Sequence, residues 1–327
     1  MPSRRRAFLV LSLLSLLALG SLSLALATGS VAVSLADMFP GTGGGSSLAS
    51  QVLIELRLPR ALAAFACGGL LALAGALMQV LLRNPLADPY VLGVSGGAAV
   101  GALLAMLFGL PLMLVDGGAF GGALAATLLV FALGHGEGAW TATRTLLTGV
   151  IVAAGCSAVV ALILAVAPEA QLRGMLFWLL GDLGHAGTPK AAVVTLALTL
   201  ALALPFARDL NVLARGGMAA RALGVPVARL RAGIQVVASL ATAVAVTTAG
   251  SIGFVGLVVP HLTRLAMGND QRLLLPAATL AGGTLLTLAD TVARSIAAPT
   301  ELPVGALTAV IGVPIFLFLL TRRGGLP

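Results

Sequence analysis

The residues that could do chemistry are few in this chain and lie far apart. It has 11 acidic residues, two cysteines, three histidines and one lysine, Lys190. A phosphate-binding Walker A loop needs the pattern G-x-x-x-x-G-K-[ST], and the residues around Lys190, GHAGTPKAAV, do not fit it. His135, His185 and His261 are scattered, and no nucleophile is paired with a base. The sequence therefore predicts that the chain is not an enzyme, holds no metal ion and does not hydrolyse ATP by itself.

Asp290 is the acidic residue placed deepest in an apolar segment, and Arg294 follows it by one helical turn. An ionisable residue at membrane depth could relay protons in an ion-coupled carrier. The i,i+4 spacing also suits a local ion pair, and we favour the pair over the relay. Cys67 and Cys156 lie in separate apolar runs, which predicts buried thiols rather than a disulfide or a metal site.

The composition indicates what kind of element must position these residues. Of the 327 residues, 59% are hydrophobic and 9% are charged, whereas soluble domains carry about 25% charged residues. A membrane-spanning helix needs roughly 20 apolar residues, and runs of this length follow one another along the chain. This pattern predicts an all-α polytopic membrane protein with about ten transmembrane helices. It does not show the alternating segments of about ten residues that are typical of a transmembrane β-barrel.

Charged or Pro/Gly-rich breaks separate the predicted spans, which together form a single transmembrane domain over residues 1–327. The first apolar run follows a basic start, as in a signal peptide, but its length of about 20 residues exceeds the roughly 7–15 of signal peptides. We therefore expect it to be retained as a span. The predicted spans are 8–33, 59–82, 91–108, 113–134, 144–167, 189–206, 232–250, 252–268, 273–294 and 304–321, of which 252–268 is the least regular.

The basic residues predict the orientation of the chain in the membrane. With the N-terminus in the cytoplasm, 14 of the 19 Lys and Arg residues fall in cytoplasmic connections and five fall outside. This split agrees with the positive-inside rule and places both termini in the cytoplasm. The arginines occur singly at the ends of spans, which indicates topology and contact with the lipid bilayer rather than binding of nucleic acid.

Two polar breaks bear on mechanism. The stretch RNPLADPYVLGVSGG, residues 83–97, stops a helix with Pro85 and Pro89, since proline lacks the N–H donor and disfavours helical geometry before it. The stretch 208–231, RDLNVLARGGMAARALGVPVARLR, contains a short helix-forming core followed by Gly224 and Pro226. Each stretch is either a plain cytoplasmic connection or a functional segment. If stretch 208–231 is functional, it is a short helix presented to a partner's groove.

The chain resembles a known family in several motifs. LRLPRALAAFACGGLLALAGALMQVLLRNPLADPYVLGVSGGAAVGA is similar to the membrane permeases of type II ABC importers for iron-siderophores, haem and cobalamin. ARALGVP, GSIGFVGLVVPHLTRLAMGNDQRLLLP, LADTVAR and ELPVGALTAVIGVPIFLFLL match the same family in order and spacing. The resemblance covers about residue 52 to the end of the chain.

The resemblance implies a ten-helix permease in the bacterial inner membrane. It implies a homodimer with the translocation path along the two-fold axis, two cytoplasmic ATPase subunits and a periplasmic substrate-binding protein. The chain itself would bind no cofactor, since ATP and Mg would be used by the ATPase partner. From the residues alone, a secondary transporter or a membrane-embedded enzyme is less consistent, because no membrane-depth acid pair or catalytic cluster is seen.

The resemblance also implies site residues. A constriction at the inner end of the path would be formed by Asn84 and Leu86, on a short irregular turn that can shift as helices rock. A second constriction would precede the fifth span, at residues 141–143. The family often has a hydroxyl residue at the middle position, and Ala142 in its place predicts a looser constriction. The residues are Asn84, Leu86, Thr141, Ala142 and Thr143.

Partner contacts are implied in the same way. The segment Arg215–Val225 matches the helix that couples to the ATPase, and outward arginines would pair with acidic residues on the binding protein, with headgroup contact as the alternative. Coupling residues are Arg215, Met218, Ala219, Arg221, Leu223 and Gly224, and docking residues are Arg57, Arg60 and Arg294.

The substrate is indicated by one segment. Residues 167–187 are predicted to form a short helix that faces the binding protein, and LRGMLFW within it looks most like haem importers. Arg173 could pair with a haem propionate, while Phe177 and Trp178 offer apolar surface; alternatively, Arg173 only fixes this helix. A ferric siderophore or cobalamin remains the alternative substrate.

Overall fold

The computed structural model describes residues 4–29, 50–134, 141–184 and 188–322, and within them all regular structure is helical. Seven of these helices are long and apolar enough to cross a membrane. Of three shorter apolar helices, two lie between them in the chain and one follows the last of them. Each of the ten predicted spans coincides with one of these ten helices, which confirms the predicted all-α membrane architecture. The predicted end of the first span, residues 30–33, falls outside the described residues.

The helices are named here in chain order. A π-helical turn, Val52–Arg57, runs directly into α2, and 3₁₀ turns occur at Pro89–Leu92 and Leu204–Phe206. The α-helices are α1 (Arg4–Ala27), α2 (Leu58–Leu81), α3 (Val94–Leu107), α4 (Leu112–Gly134), α5 (Ala142–Val166), α6 (Glu169–Leu180), α7 (Lys190–Ala203), α8 (Ala207–Ala214), α9 (Gly217–Ala222), α10 (Val227–Ala249), α11 (Val255–Met267), α12 (Gln271–Ser295) and α13 (Val304–Arg322).

Helix α2 is the centre of the fold. Every residue from Ala66 to Leu81 is buried, and α12, α10, α11 and α7 pack around it. Glycines allow this close packing: a β-carbon on Gly68 would collide with the carbonyl of Gly282, and one on Gly75 with the carbonyl of Gly256. Small residues let helix backbones approach in membranes, where apolar side chains gain little from leaving lipid.

Helices α3 and α4 form a second closely packed pair. Gly97 faces the carbonyl of Gly122, and Gly101 faces the carbonyl of Gly118, each without space for a β-carbon. By contrast, α5 carries large exposed apolar side chains along much of its length, among them Leu147, Ile151 and Leu162. In this single chain, α5 therefore presents an apolar surface to lipid or to another subunit.

Candidate functional site

The connection after α2 is an irregular turn, as its two prolines predict. Arg83 has a φ of 49°, a left-handed conformation that ends the helix, and the Asn84 N–H donates to the Gln79 carbonyl at 3.2 Å. The Asn84 side chain closes the turn, because its Oδ1 accepts from the Leu86 N–H at 2.9 Å. Leu86 is exposed at the tip of this turn. The role of Asn84 and Leu86 in a constriction stays a prediction.

From this turn the chain returns along α2 toward the middle of the bundle. A β-carbon on Gly256 would lie 2.7 Å from Pro89 Cδ and 3.0 Å from the Leu71 carbonyl oxygen, so the Pro89 ring and the backbones of Leu71 and Gly256 meet. Leu71 is ten residues before the end of α2, which corresponds to about 15 Å of helix. Non-helical backbone at such depth is tolerated only against protein or a water-filled path, and here Pro89 and Leu92 are buried.

Asp88 starts the 3₁₀ turn of this returning segment. Its Oδ1 accepts a hydrogen bond from the Tyr90 N–H at 2.8 Å. Burial raises the pKa of the Asp88 carboxyl to about 6, and the hydrogen bond from Tyr90 offsets only part of that rise. Ionised Asp88 is therefore less favourable in the folded protein than in water.

We expect Asp88→Asn to change the pH dependence of stability in a defined direction. Asparagine keeps the acceptor for the Tyr90 N–H and cannot ionise. Because the folded pKa lies above the unfolded value of about 3.9, the wild type should lose stability relative to Asp88→Asn as the pH rises from about 4 through about 6. Thermal unfolding in detergent across this range measures the difference.

The control for that experiment is Asp88→Ala, which removes both the charge and the acceptor. It should be about 1 kcal/mol less stable than Asp88→Asn at every pH, as for the loss of a helix cap. A difference between wild type and Asp88→Asn that instead grows as the pH falls would contradict the raised pKa.

The residues of the predicted second constriction lie at the start of α5. Thr141 is its N-cap: its Oγ1 accepts from the Arg144 N–H at 3.3 Å. Thr141 and Thr143 are exposed. Two turns further along α5, a β-carbon on Gly149 would collide with the Val91 carbonyl. Helix α5 therefore packs on the 3₁₀ turn Pro89–Leu92 that follows Asn84 and Leu86. The structure thus brings the two predicted constrictions onto neighbouring elements.

The predicted coupling segment forms two short helices, α8 and α9, with exposed apolar side chains. Met218 and Leu223 are 86% and 71% exposed, whereas Ala220 between them is fully buried and anchors α9. Gly224, with a φ of 80°, ends this segment. The other predicted coupling residues, Arg215, Ala219 and Arg221, are also exposed.

A side-chain contact that sequence reasoning missed connects α8 to α12. Asn211 Nδ2 donates to Asp270 Oδ1 at 2.8 Å, and the Gln271 N–H donates to Asn211 Oδ1 at 2.8 Å. Asp270 is also the N-cap of α12 and accepts from the Arg272 N–H. The Asp-Gln-Arg order after Gly268 marks a helix start, but nothing in the sequence indicates its partner 59 residues earlier.

The outward arginines are bound within this chain. Arg60 holds Asp290 through two nitrogens, at 2.9 Å for Nη2 and 3.0 Å for Nε, and holds Glu301 at 2.9 Å. Arg294 reaches Asp290 only at 3.9 Å and donates to the Ala25 carbonyl. The expected Asp290–Arg294 pair is thus the weaker one, because Arg60 lies in a better position across the helix interface.

Arg57 completes this cluster. It is buried and donates to the Leu26 carbonyl at 2.8 Å, so the three arginines connect α1, α2 and α12. Their docking to a binding protein stays a prediction, and the structure adds that each guanidinium already has partners in its own chain. Glu301, with a side chain 47% exposed, is the most accessible charge of the cluster.

The predicted entry helix is α6. Its Met175 is fully buried and fixes the helix, while Arg173 is exposed with its guanidinium carbon 5.6 Å from the centre of the Phe177 ring. Phe177 and Trp178 are half-buried. This helix therefore presents one cation above an aromatic face. A role of this surface in substrate entry stays a prediction.

The described residues contain no group of three or more His, Cys, Asp or Glu side chains that could hold a metal ion. His261 is buried in α11, with its ring edge toward Phe316 at a centroid distance of 6.5 Å. His135 and His185 lie outside the described residues. Cys67 and Cys156 are free thiols.

Comparison with known proteins gives consistent matches over nearly the whole chain. The model of the FecCD transport family matches residues 14–322. The hemin transport system permease HmuU of Yersinia pestis is 41% identical over 325 residues, which cover 96% of this chain and 94% of that protein. The cobalamin import system permease BtuC of Halobacterium salinarum is 43% identical over 298 residues, 89% of this chain and 79% of that one.

The fold of this chain is also similar to a solved structure over nearly its whole length. It is an inward-facing conformation of a metal-chelate type ABC transporter, with a TM-score of 0.86 and 32% sequence identity. The alignment covers 96% of this chain and 99% of that chain. The helix order described above is therefore the order of a solved transporter.

Proposed function

This chain belongs to the FecCD transport family, and from that membership we propose that it forms the translocation path of an ATP-driven type II importer for haem. It is a multi-pass permease subunit of a bacterial ABC importer, and the ATPase is a separate subunit. The proposed assembly contains two copies of this chain, two cytoplasmic ATPase subunits and a periplasmic substrate-binding protein, with both termini of this chain in the cytoplasm. ATP and Mg would be used by the ATPase subunits.

The observation that carries the proposal is the family match over residues 14–322, which includes the turn at Asn84, the start of α5 and the exposed helix α9. Haem as the substrate is supported by the similarity to the Yersinia hemin permease over 96% of the chain. The exposed Arg173 above Phe177 on α6 fits a planar apolar ligand with carboxylates. Cobalamin is the second candidate, because the Halobacterium relative is a cobalamin permease of similar identity.

The proposed mechanism assigns a task to each segment. Closure of the ATPase subunits would move α9 and, through Asn211 and Asp270, helix α12. Rocking of the helices would shift the turn at Asn84 and Leu86 and the start of α5, and would open the path on one side at a time. A path lined by small and apolar residues suits transient passage, because strong ligands would retain the substrate.

The experiment that tests the proposal is uptake into proteoliposomes that contain this permease, its ATPase and its binding protein. Haem, a ferric siderophore and cobalamin are compared, each with and without ATP inside. We expect ATP-dependent uptake of haem, and reduced haem uptake in Arg173→Ala. Uptake of cobalamin or the siderophore instead would overturn the substrate, and uptake without ATP would overturn the importer in favour of an ion-coupled carrier.

We expect Leu223→Ala to lower ATP-driven uptake about tenfold, because the proposal makes this exposed side chain an anchor in the ATPase interface, and truncation of such an anchor costs about 1–2 kcal/mol or more. The matched control is Leu198→Ala on α7, where the leucine is also exposed but faces outward in a membrane-spanning helix. Uptake and ATPase binding are measured for both variants. Equal losses would contradict a coupling role for α9.

A further inference from the structure

Three segments at helix ends meet inside the bundle, and we call this meeting point the junction. They are the turn and helix start at 88–95, the end of α6 at 178–182, and the connection 249–252 between α10 and α11. The first follows the predicted constriction at Asn84, and the second ends the predicted entry helix. The third belongs to neither site, although one of the family motifs in the sequence begins at its Gly250.

Tyr90 joins the first segment to the third. Its hydroxyl donates to the Ile252 carbonyl at 2.9 Å and accepts from the Ile252 N–H at 3.0 Å. The Ser95 and Ser251 hydroxyls form a further hydrogen bond at 2.8 Å. One tyrosine side chain thus satisfies both backbone groups of a residue 162 positions away, in a place where non-helical backbone needs protein partners.

Backbone contacts join the second segment to the third. The Asp182 N–H donates to the Ala249 carbonyl at 2.9 Å, and the Ser251 N–H donates to the Trp178 carbonyl at 3.4 Å. Gly250, with a φ of 69°, has no room for a β-carbon against the Trp178 carbonyl. A β-carbon on Gly181 would lie 2.8 Å from the Ser251 carbonyl oxygen. These backbones are in direct contact.

We propose that the junction moves as one body during transport, so that a displacement of the entry helix α6 reaches the turn at Asn84, with Tyr90 and Ser251 as positioning residues. Hydrogen-bonded and closely packed segments transmit displacement when they shift together between two arrangements. Separating these segments would leave the backbone groups of Ile252 unpaired at depth, which favours motion as a unit. The inference rests on the proposed importer function.

A cross-link tests whether the segments stay together. Ser95 and Ser251 are both replaced by cysteine in a chain whose Cys67 and Cys156 are alanine, and the pair is closed by oxidation or by a short bis-methanethiosulfonate. We expect ATP-dependent uptake to be the same before and after closure. Loss of uptake on closure that dithiothreitol restores would show that the segments separate during the cycle, and it would overturn the proposal.

Substitutions test whether the junction transmits. We expect Tyr90→Phe and Ser251→Ala to lower the ratio of ATPase rates with and without loaded binding protein, by about tenfold for Tyr90→Phe, within the usual range of coupling between sites. Ser157→Ala is the control, because that exposed hydroxyl donates only to the Ala153 carbonyl of its own helix. A ratio unchanged in both junction variants would overturn the proposal.

A double substitution tests whether the Ser95 and Ser251 hydroxyls act as a pair. If the Ser95 and Ser251 hydroxyls act on each other, Ser95→Ala with Ser251→Ala should lower the ATPase ratio no more than either single change. Additive losses would contradict the contact's role. If the wild-type protein shows no ATP-dependent uptake of any cargo, the proposed function is refuted. If the wild-type protein transports and the cross-link inactivates it, only the proposal that the junction moves as one body is refuted.

Discussion

Replacing Asp290 by asparagine should destabilise this protein by about 3–5 kcal/mol, the usual effect of removing one partner from a buried ion pair. The Asp290 side chain is 4% exposed and accepts from two nitrogens of Arg60, whose own side chain is 16% exposed. Without the carboxylate, the guanidinium of Arg60 keeps the exposed Glu301 as its acidic partner, and Arg294 loses its acidic neighbour. Two desolvated cations would then lie side by side.

Thermal unfolding in detergent measures this effect, and Glu301→Gln is the matched control. Glu301 contacts the same arginine but is 47% exposed, so its loss should be worth about 0–1 kcal/mol, as for surface ion pairs. Similar shifts for the two variants would contradict the buried pair as the main contact. Unchanged stability in Asp290→Asn with weakened binding-protein affinity would instead favour the docking role of the cluster.

Gly122→Ala should destabilise the α3–α4 pair by about 2 kcal/mol, although alanine is the better helix former. The added β-carbon would collide with the Gly97 carbonyl, which is backbone and cannot move aside as a side chain could. The two helices would have to separate along a contact that Gly101 and Gly118 continue. Loss of close backbone approach is costly in lipid, where packing rather than water exclusion holds helices together.

The neighbouring Gly121 provides the control for this prediction. A β-carbon there would meet no atom within 4 Å, so Gly121→Ala should be neutral or should stabilise α4 by up to about 1 kcal/mol. The same thermal measurement on both variants decides the outcome. If the two alanines have equal effects, the close contact between α3 and α4 does not limit stability.

Much of the architecture follows from patterns along the chain. Ten apolar helices occupy the ten predicted spans. The helix predicted at 252–268 forms over Val255–Met267 although it contains Pro260. The turn at Asn84 follows from Pro85 and Pro89, and the exposed α9 follows from a short polar segment. These features are local: each depends on hydropathy or on the dihedral limits of a few residues.

The partners of the charged residues could not be predicted in the same way. Arg294 is one turn from Asp290, yet Arg60, 230 positions away, is the nearer partner because α2 and α12 pack side by side. Arg57 and Arg294 were expected to face outward, and nothing along the chain indicated that α1 supplies the carbonyls of Leu26 and Ala25 to them. Spacing along one helix indicates possible pairs and says nothing of the neighbouring helix.

The sequence by itself determined that this is a helical membrane permease, where its ten apolar helices lie and where the polar breaks between them fall. Only the tertiary structure decided that α2 is central, which glycines touch another backbone, and that Tyr90 is bonded to Ile252. The physical reason is that hydropathy identifies each span along the chain but does not identify its neighbours. Which face packs on protein and which faces lipid depends on shape and close approach between segments distant in the chain.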